Sequence, residues 1–275
     1  ADALAKKLRR IDAQLTVFES TGGYELLAAS CFAEAGLAVV IVNPRQVSNF
    51  AKATGILAKT DAIDARVIAR FAEAVKPEVR PLKDHQTSEL TALVTRRRQI
   101  IEMVVAERNR LKLANKRNKK DITDHIGWLQ KRLDKIETDI GNMIQSSPIW
   151  RCKDDILQRV TGIWPVTSAS LICDIPELGA LSPKKIAMLA GLAPLNCNSG
   201  IFKGRRRIWG GRASVRSGLY MATMAAIRCN PAIKEFYQRL TAAGKCHKVA
   251  AAACMRKLLM IVNAMLRDQT LCQQN

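Results

Sequence analysis

"LAVVIVNP", residues 37–44, decides how the chain begins to fold. Leu37 to Val42 are apolar without polar alternation and sit between Gly36 and Pro44, the pattern of a short strand buried on both faces. Upstream, "AQLTVFESTGGYE" (13–25) reads as a second short strand that ends at Glu19 and breaks at Gly22-Gly23. Between them, "YELLAASCFAEAG" (24–36) has helical spacing and stops at a glycine suited to a C-cap. With a further helix over 61–74, the order strand, helix, strand, helix predicts an α/β layer.

Downstream the periodicity changes. Ile122, Ile126, Leu129, Leu133, Ile136, Ile140 and Met143 step by four and three, an a/d heptad. A looser apolar stripe runs from Leu90 to Leu111, with the polar "NKRNKKD" (115–121) between the two. The spacing predicts two long helices folded as an antiparallel coiled-coil hairpin or serving as a dimerising arm. "SSPIW" (146–150) marks a boundary, after which the chain reads as mainly helical. "SPKKIAMLAGLAP" (182–194) is a Ser-capped helix with Pro183 at its first position. "NCNSGIFKGRRRIWGGRASVR" (196–216) reads as a Gly-rich basic loop before two closing helices. The predicted class is α/β plus α, divided into 1–84, 85–147 and 148–275.

The net charge of +20 over 275 residues points to a polyanionic partner, and it is unevenly placed. Residues 201–275 hold 14 Lys and Arg against 2 Asp and Glu, whereas 1–84 hold 12 against 10. No basic face pairs with a Trp/Phe-rich one, so nucleic acid is favoured over a membrane. The eight cysteines form no C-x-x-C pair and the histidines number three, which argues against a zinc module. Reduced thiols, no signal-peptide pattern and no run of about 18 apolar residues lead to a cytoplasmic expectation.

"AKTDAIDARVIARF" (58–71) starts a helix with Asp61 and Asp64 three apart. Acids in a first helical turn are what capping and the macrodipole favour. They are equally half of a metal site if Glu19, at the end of its strand, converges on them at the carboxyl edge of the sheet. Hard oxygen ligands of this kind select Mg²⁺ or Mn²⁺, metals suited to phosphodiester chemistry.

Three stretches, "FESTGGYE", "VNPRQVSNFAKATGILAKTDAIDARVIARF" and "GLAPLNCNSGIFKGRRRIWGGRASVRSGLYMA", together resemble the DEDD transposases of the insertion-sequence 110 family, most closely its 1111 subgroup. The resemblance spans nearly the whole chain. It implies a RuvC-like, RNase H-fold domain over 1–84, a coiled-coil arm over 85–147, and a C-terminal transposase domain carrying a serine nucleophile over 148–275. Glu19, Asp61 and Asp64 match three of the family's four acids, and Ser199 matches its serine. The implied cofactor is Mg²⁺ or Mn²⁺, and the implied partners are DNA, a structured guide RNA and further copies in a dimer or tetramer, with no membrane. The family's first aspartate has no counterpart: "ADALAKKLRR" corresponds to a helix after three strands, and Asp2 and Asp12 flank that helix. An N-terminally truncated chain, weak in metal binding and inactive at the acidic site, is therefore expected.

A serine hydroxyl is a weak nucleophile unless a base, a metal or concentrated positive charge assists it. Lys203, Arg205, Arg206, Arg207 and Arg212 are the candidates to clamp a phosphate beside Ser199, and Arg216 is a further candidate nucleic-acid contact. Arg96, Arg97 and Arg98 on the first long helix read either as a backbone-binding patch or as a solvated face. Trp209 reads as an anchor for its loop or a base-stacking ring, and Asn43, Cys197 and His247 as structural. Two alternatives remain open: a RuvC-like nuclease in which water attacks, and a catalytically dead remnant that still binds nucleic acid.

Overall fold

A computed structural model describes residues 2–58, 60–79, 82, 84–199, 202–204 and 206–268. The chain divides into two compact units, 1–84 and 85–275.

In the first unit, α1 (Asp2–Arg10) precedes β1 (Thr16–Glu19), α2 (Tyr24–Glu34), β2 (Val39–Val42), α3 (Pro44–Ala53) and α4 (Asp61–Val75). The two strands pair in parallel, Thr16 opposite Val39 through Glu19 opposite Val42, with α2 as the crossover that parallel pairing requires. Alternate residues of the apolar run serve different cores. Val40 and Val42 pack with Val47, Val67 and Phe71 of α3 and α4, while Val39 packs with Ala5, Ala29 and Phe32 of α1 and α2. Both faces of the sheet are thus covered, as the unbroken apolar pattern required. The strand ends at Val42 because Asn43 caps α3, its side-chain oxygen accepting from the Arg45 amide at 2.9 Å.

The second unit begins with α5 (His85–Leu113) and α6 (Lys116–Ser146). The Arg97–Glu137 ion pair and the contact of the His125 ring with the Glu107 carboxylate fix the helices as an antiparallel hairpin. Ile100 and Val104 of α5 pack on Leu129, Leu133 and Ile136 of α6, so the heptad positions pack within one chain. The turn is tighter than the polar composition suggested. Asn115 caps α6 by accepting from the Asn118 amide at 3.0 Å, and the rest of "NKRNKKD" is helical.

Next come α7 (Pro148–Gln158), α8 (Pro165–Asp174), α9 (Pro183–Leu189), α10 (Ala213–Cys229), α11 (Pro231–Ala242) and α12 (His247–Asp268). Among the described residues three helices, not two, follow the basic segment. Their core gathers Leu157, Leu171, Ile175, Leu219, Ile233 and Leu258. α12 is long and apolar enough to cross a membrane by length and composition, but half of it is buried and it supplies Cys254, Leu258, Leu259 and Val262 to this core. It is a core helix. Between α7 and α8, Gly162 (φ 107°) lies against α10, where a Cβ would stand 2.8 Å from that of Ala226 and 2.9 Å from the Ala222 carbonyl oxygen. The neighbouring Trp164 is exposed and does not prevent that approach.

The segment read as a basic loop is a nested pair of short ladders. β3 (Pro194–Leu195) pairs antiparallel with β6 (Arg207–Ile208), and β4 (Asn198–Ser199) with β5 (Phe202–Lys203). The Gly204 amide bridges back to the Cys197 carbonyl at 3.1 Å.

Candidate acidic and nucleic-acid-binding sites

Glu19 ends β1, and the parallel register directs it toward the carboxyl edge of the sheet, where α3 and α4 begin. There it shares a pocket of about 140 Å³ with Asp64, Lys52 and Ser48. Asp61 is exposed and does not line that pocket, although its spacing places it on the same helix face. The α4 N-cap is Thr60, whose hydroxyl accepts from the Ile63 amide at 3.3 Å, so the two aspartates are not needed as caps. Among the described residues no three His, Cys, Asp or Glu side chains gather closely enough to hold a metal. Of the three expected carboxylates, Glu19 and Asp64 line one pocket and Asp61 does not.

The turn after Glu19 depends on a residue that the motifs did not single out. The Glu25 carboxylate accepts from the Thr21 amide at 3.0 Å, the Gly23 amide at 2.9 Å and the Ser20 hydroxyl at 3.3 Å. The Thr21 hydroxyl donates to the Glu19 carbonyl at 2.9 Å, tying the turn to the acid that precedes it. Desolvation raises the Glu25 pKa, but the hydrogen bonds from its own backbone, Thr21, Gly23 and Ser20 outweigh it and hold the group below its ordinary value. An acid in the first turn of a helix that follows Gly-Gly was the available signal.

On the second unit, Ser199 lies exposed on β4, paired with Phe202. Arg206 and Arg207 are exposed on the returning arm, and Trp209 is 66% exposed. Arg205 lies outside the described residues, and for Lys203 only the backbone is described.

Two other arginines expected to contact nucleic acid turn their donors toward the protein. Arg212 makes a bidentate pair with Glu177 at 2.6 and 2.7 Å and donates to the Asp174 carbonyl at 2.9 Å. Arg216 donates to the carbonyls of Ala190 and Gly210. With their donors turned inward, both pin the foot of the hairpin to α8 and α9. Gly191 (φ 67°) and Gly211 (φ 64°) complete that foot, and a Cβ on Gly211 would stand 2.2 Å from the Gly191 nitrogen. Only glycine fits there. Of the α5 arginines, Arg97 is engaged with Glu137 at 2.6 Å, whereas Arg96 and Arg98 are exposed.

Residues 1–114 match a family model described as a transposase, and residues 154–238 match the Transposase IS116/IS110/IS902 family. The pilin gene-inverting protein of Moraxella lacunata is 30% identical over 92% of this chain and 80% of its own length. The chain belongs to the IS110-type transposase family. The corresponding protein of Moraxella bovis is also 30% identical over the same shares. An uncharacterized 43.6 kDa protein of insertion element IS110 in Streptomyces coelicolor is 28% identical over 49% of this chain and 33% of its own. The activity of this transposase is that of a DNA transposase or recombinase.

Proposed function

We propose that the transposase cuts and rejoins DNA through Ser199, with an RNase H-like acidic site at Glu19 and Asp64 and a guide RNA as partner to a dimer or tetramer. The observation that carries this reading is the exposed Ser199 on a hairpin whose foot is pinned by Arg212 and Arg216 and whose other arm exposes Arg206 and Arg207. A clamped hairpin holds a weak nucleophile in a defined position, and the two exposed guanidinium groups of the same hairpin favour a phosphodiester and the charge that builds on it. Serine Oγ attacks phosphorus, the bond to one deoxyribose oxygen breaks, and the serine proton passes to solvent water, which returns a proton to the departing oxygen. Attack by a hydroxyl of the second strand reverses these steps and frees the serine.

The donor chemistry of Glu19 and Asp64 fits one hard cation completed by water. When bound, Mg²⁺ or Mn²⁺ supplies Lewis-acid stabilisation of an attacking or departing oxygen. The Glu25 clamp keeps the Glu19 turn in one conformation for that purpose.

The acidic pocket by itself also suits a nuclease in which water attacks. Denaturing electrophoresis of the reaction with end-labelled DNA separates the two: a protein–DNA adduct that disappears in Ser199→Ala supports serine attack. Cleavage that persists in Ser199→Ala without an adduct supports water.

A further inference from the structure

We propose that the α5–α6 hairpin carries a stacking site for an unpaired nucleotide of single-stranded nucleic acid, built on Trp128 and ringed by Arg96, Arg132 and Lys135. It rests on the reading of the chain as a nucleic-acid enzyme and adds a site on an element that this reading leaves without a ligand. A cavity of about 340 Å³ opens between the two helices, lined by these four residues over a floor that includes Ile100 and Leu129. That volume lies at the small end of ligand clefts.

Trp128 is 52% exposed on α6, although the heptad residues beside it turn into the hairpin seam. The indole is therefore not a packing residue of that seam. Planar groups already stand by its ring: the Arg132 guanidinium lies 5.2 Å from the ring centroid, and the His125 ring lies at 6.1 Å, inclined by 29°. An exposed cation–π pair is weaker than a base stacked on an aromatic ring, so a base displaces the guanidinium, which remains tethered one helical turn away for the adjoining phosphate. Arg96 bonds the neutral Gln99 side chain at 3.1 Å, which leaves its charge uncompensated by that bond. Asp139 is the single acid of the lining.

Charge selects the occupant. Residues 85–146 carry 13 Lys and Arg against 8 Asp and Glu, so a second copy of the hairpin seated here would bring cations against cations. A polyanion with a free base answers both the ring and the charges. Duplex nucleic acid offers phosphates but no free π-face.

The test uses the full chain with a fluorescent 12-nucleotide single strand, as DNA and as RNA of one sequence, and with a DNA duplex. Trp128→Ala is expected to weaken single-strand binding roughly five- to hundred-fold at an unchanged salt slope, and Trp128→Phe, which keeps a ring, to restore most of it. Replacing Arg132 and Lys135 by Ala is expected to lower the slope by roughly 0.7 for each phosphate no longer neutralised. The tighter of the DNA and RNA arms identifies the strand that occupies the site. Unchanged single-strand affinity in Trp128→Ala overturns the proposal, as does a fall in sedimenting mass with affinity intact, which would mean that a second copy covers the ring. Duplex binding by an Arg206→Ala, Arg207→Ala protein tests the basic hairpin separately, so failure of one reading is distinguishable from failure of the other.

Discussion

Glu25 shows how a single side chain can govern its neighbour. Its carboxylate satisfies two amides and a hydroxyl of the turn that Glu19 opens, so Glu25→Ala should loosen Glu19 without removing any atom of the acidic pocket. Because the folded pKa is lowered, the contribution of Glu25 to stability is present above its unfolded value and is lost as pH falls through the folded one. The amide-proton shifts of Thr21 and Gly23 should therefore move together on acidification, following the Glu25 carboxylate. In Glu25→Gln, which retains a carbonyl acceptor but no titrating group, the same shifts should stay flat. Shifts that still titrate in Glu25→Gln would assign the clamp to another group.

Elements in this chain were legible where one local pattern decided them. The unbroken apolar run 37–42 became a two-sided strand, and Ser182 capped its helix through the Lys185 amide. The hairpin over 194–208 was not legible, because each arm pairs over two residues and shows no alternation that separates a strand from a loop. Nor could spacing reveal that Arg212 is taken by Glu177, 35 residues away, since long-range pairing leaves no local trace. The two kinds of arginine separate in experiment. Arg212→Ala removes the bidentate pair with the partly exposed Glu177 and should cost about 1–2 kcal/mol in thermal stability, discounted for solvent screening, with the salt slope of DNA binding unchanged. Replacing Arg206 and Arg207 by Ala should leave the melting temperature in place and flatten the slope by roughly 0.9 for each phosphate no longer neutralised. A flattened slope in Arg212→Ala would return that residue to the interface.

At the scale of the whole molecule, positive charge and acidic chemistry lie on different parts of the chain. Residues 201–275 carry 14 Lys and Arg against 2 Asp and Glu, whereas Glu19 and Asp64 belong to the near-neutral first unit. Cation binding and polyanion binding should therefore respond to different substitutions. A ligand that binds the folded state alone stabilises it by RT ln(1 + [L]/Kd), about 1.4 kcal/mol at tenfold excess over Kd. For a unit of 84 residues, if it melts independently, that corresponds to a rise of roughly 6–11 °C in its transition. Scanning calorimetry in Mn²⁺ should show this rise in the wild-type chain and lose it in a Glu19→Gln, Asp64→Asn protein, while Arg206→Ala, Arg207→Ala leaves it intact. The double carboxylate variant should melt near the wild-type temperature without metal, since it removes two like charges that share one pocket. A Mn²⁺-dependent rise that survives in that variant would place the cation elsewhere, and its absence from the wild type would leave Glu19 and Asp64 as pocket residues with no metal to hold.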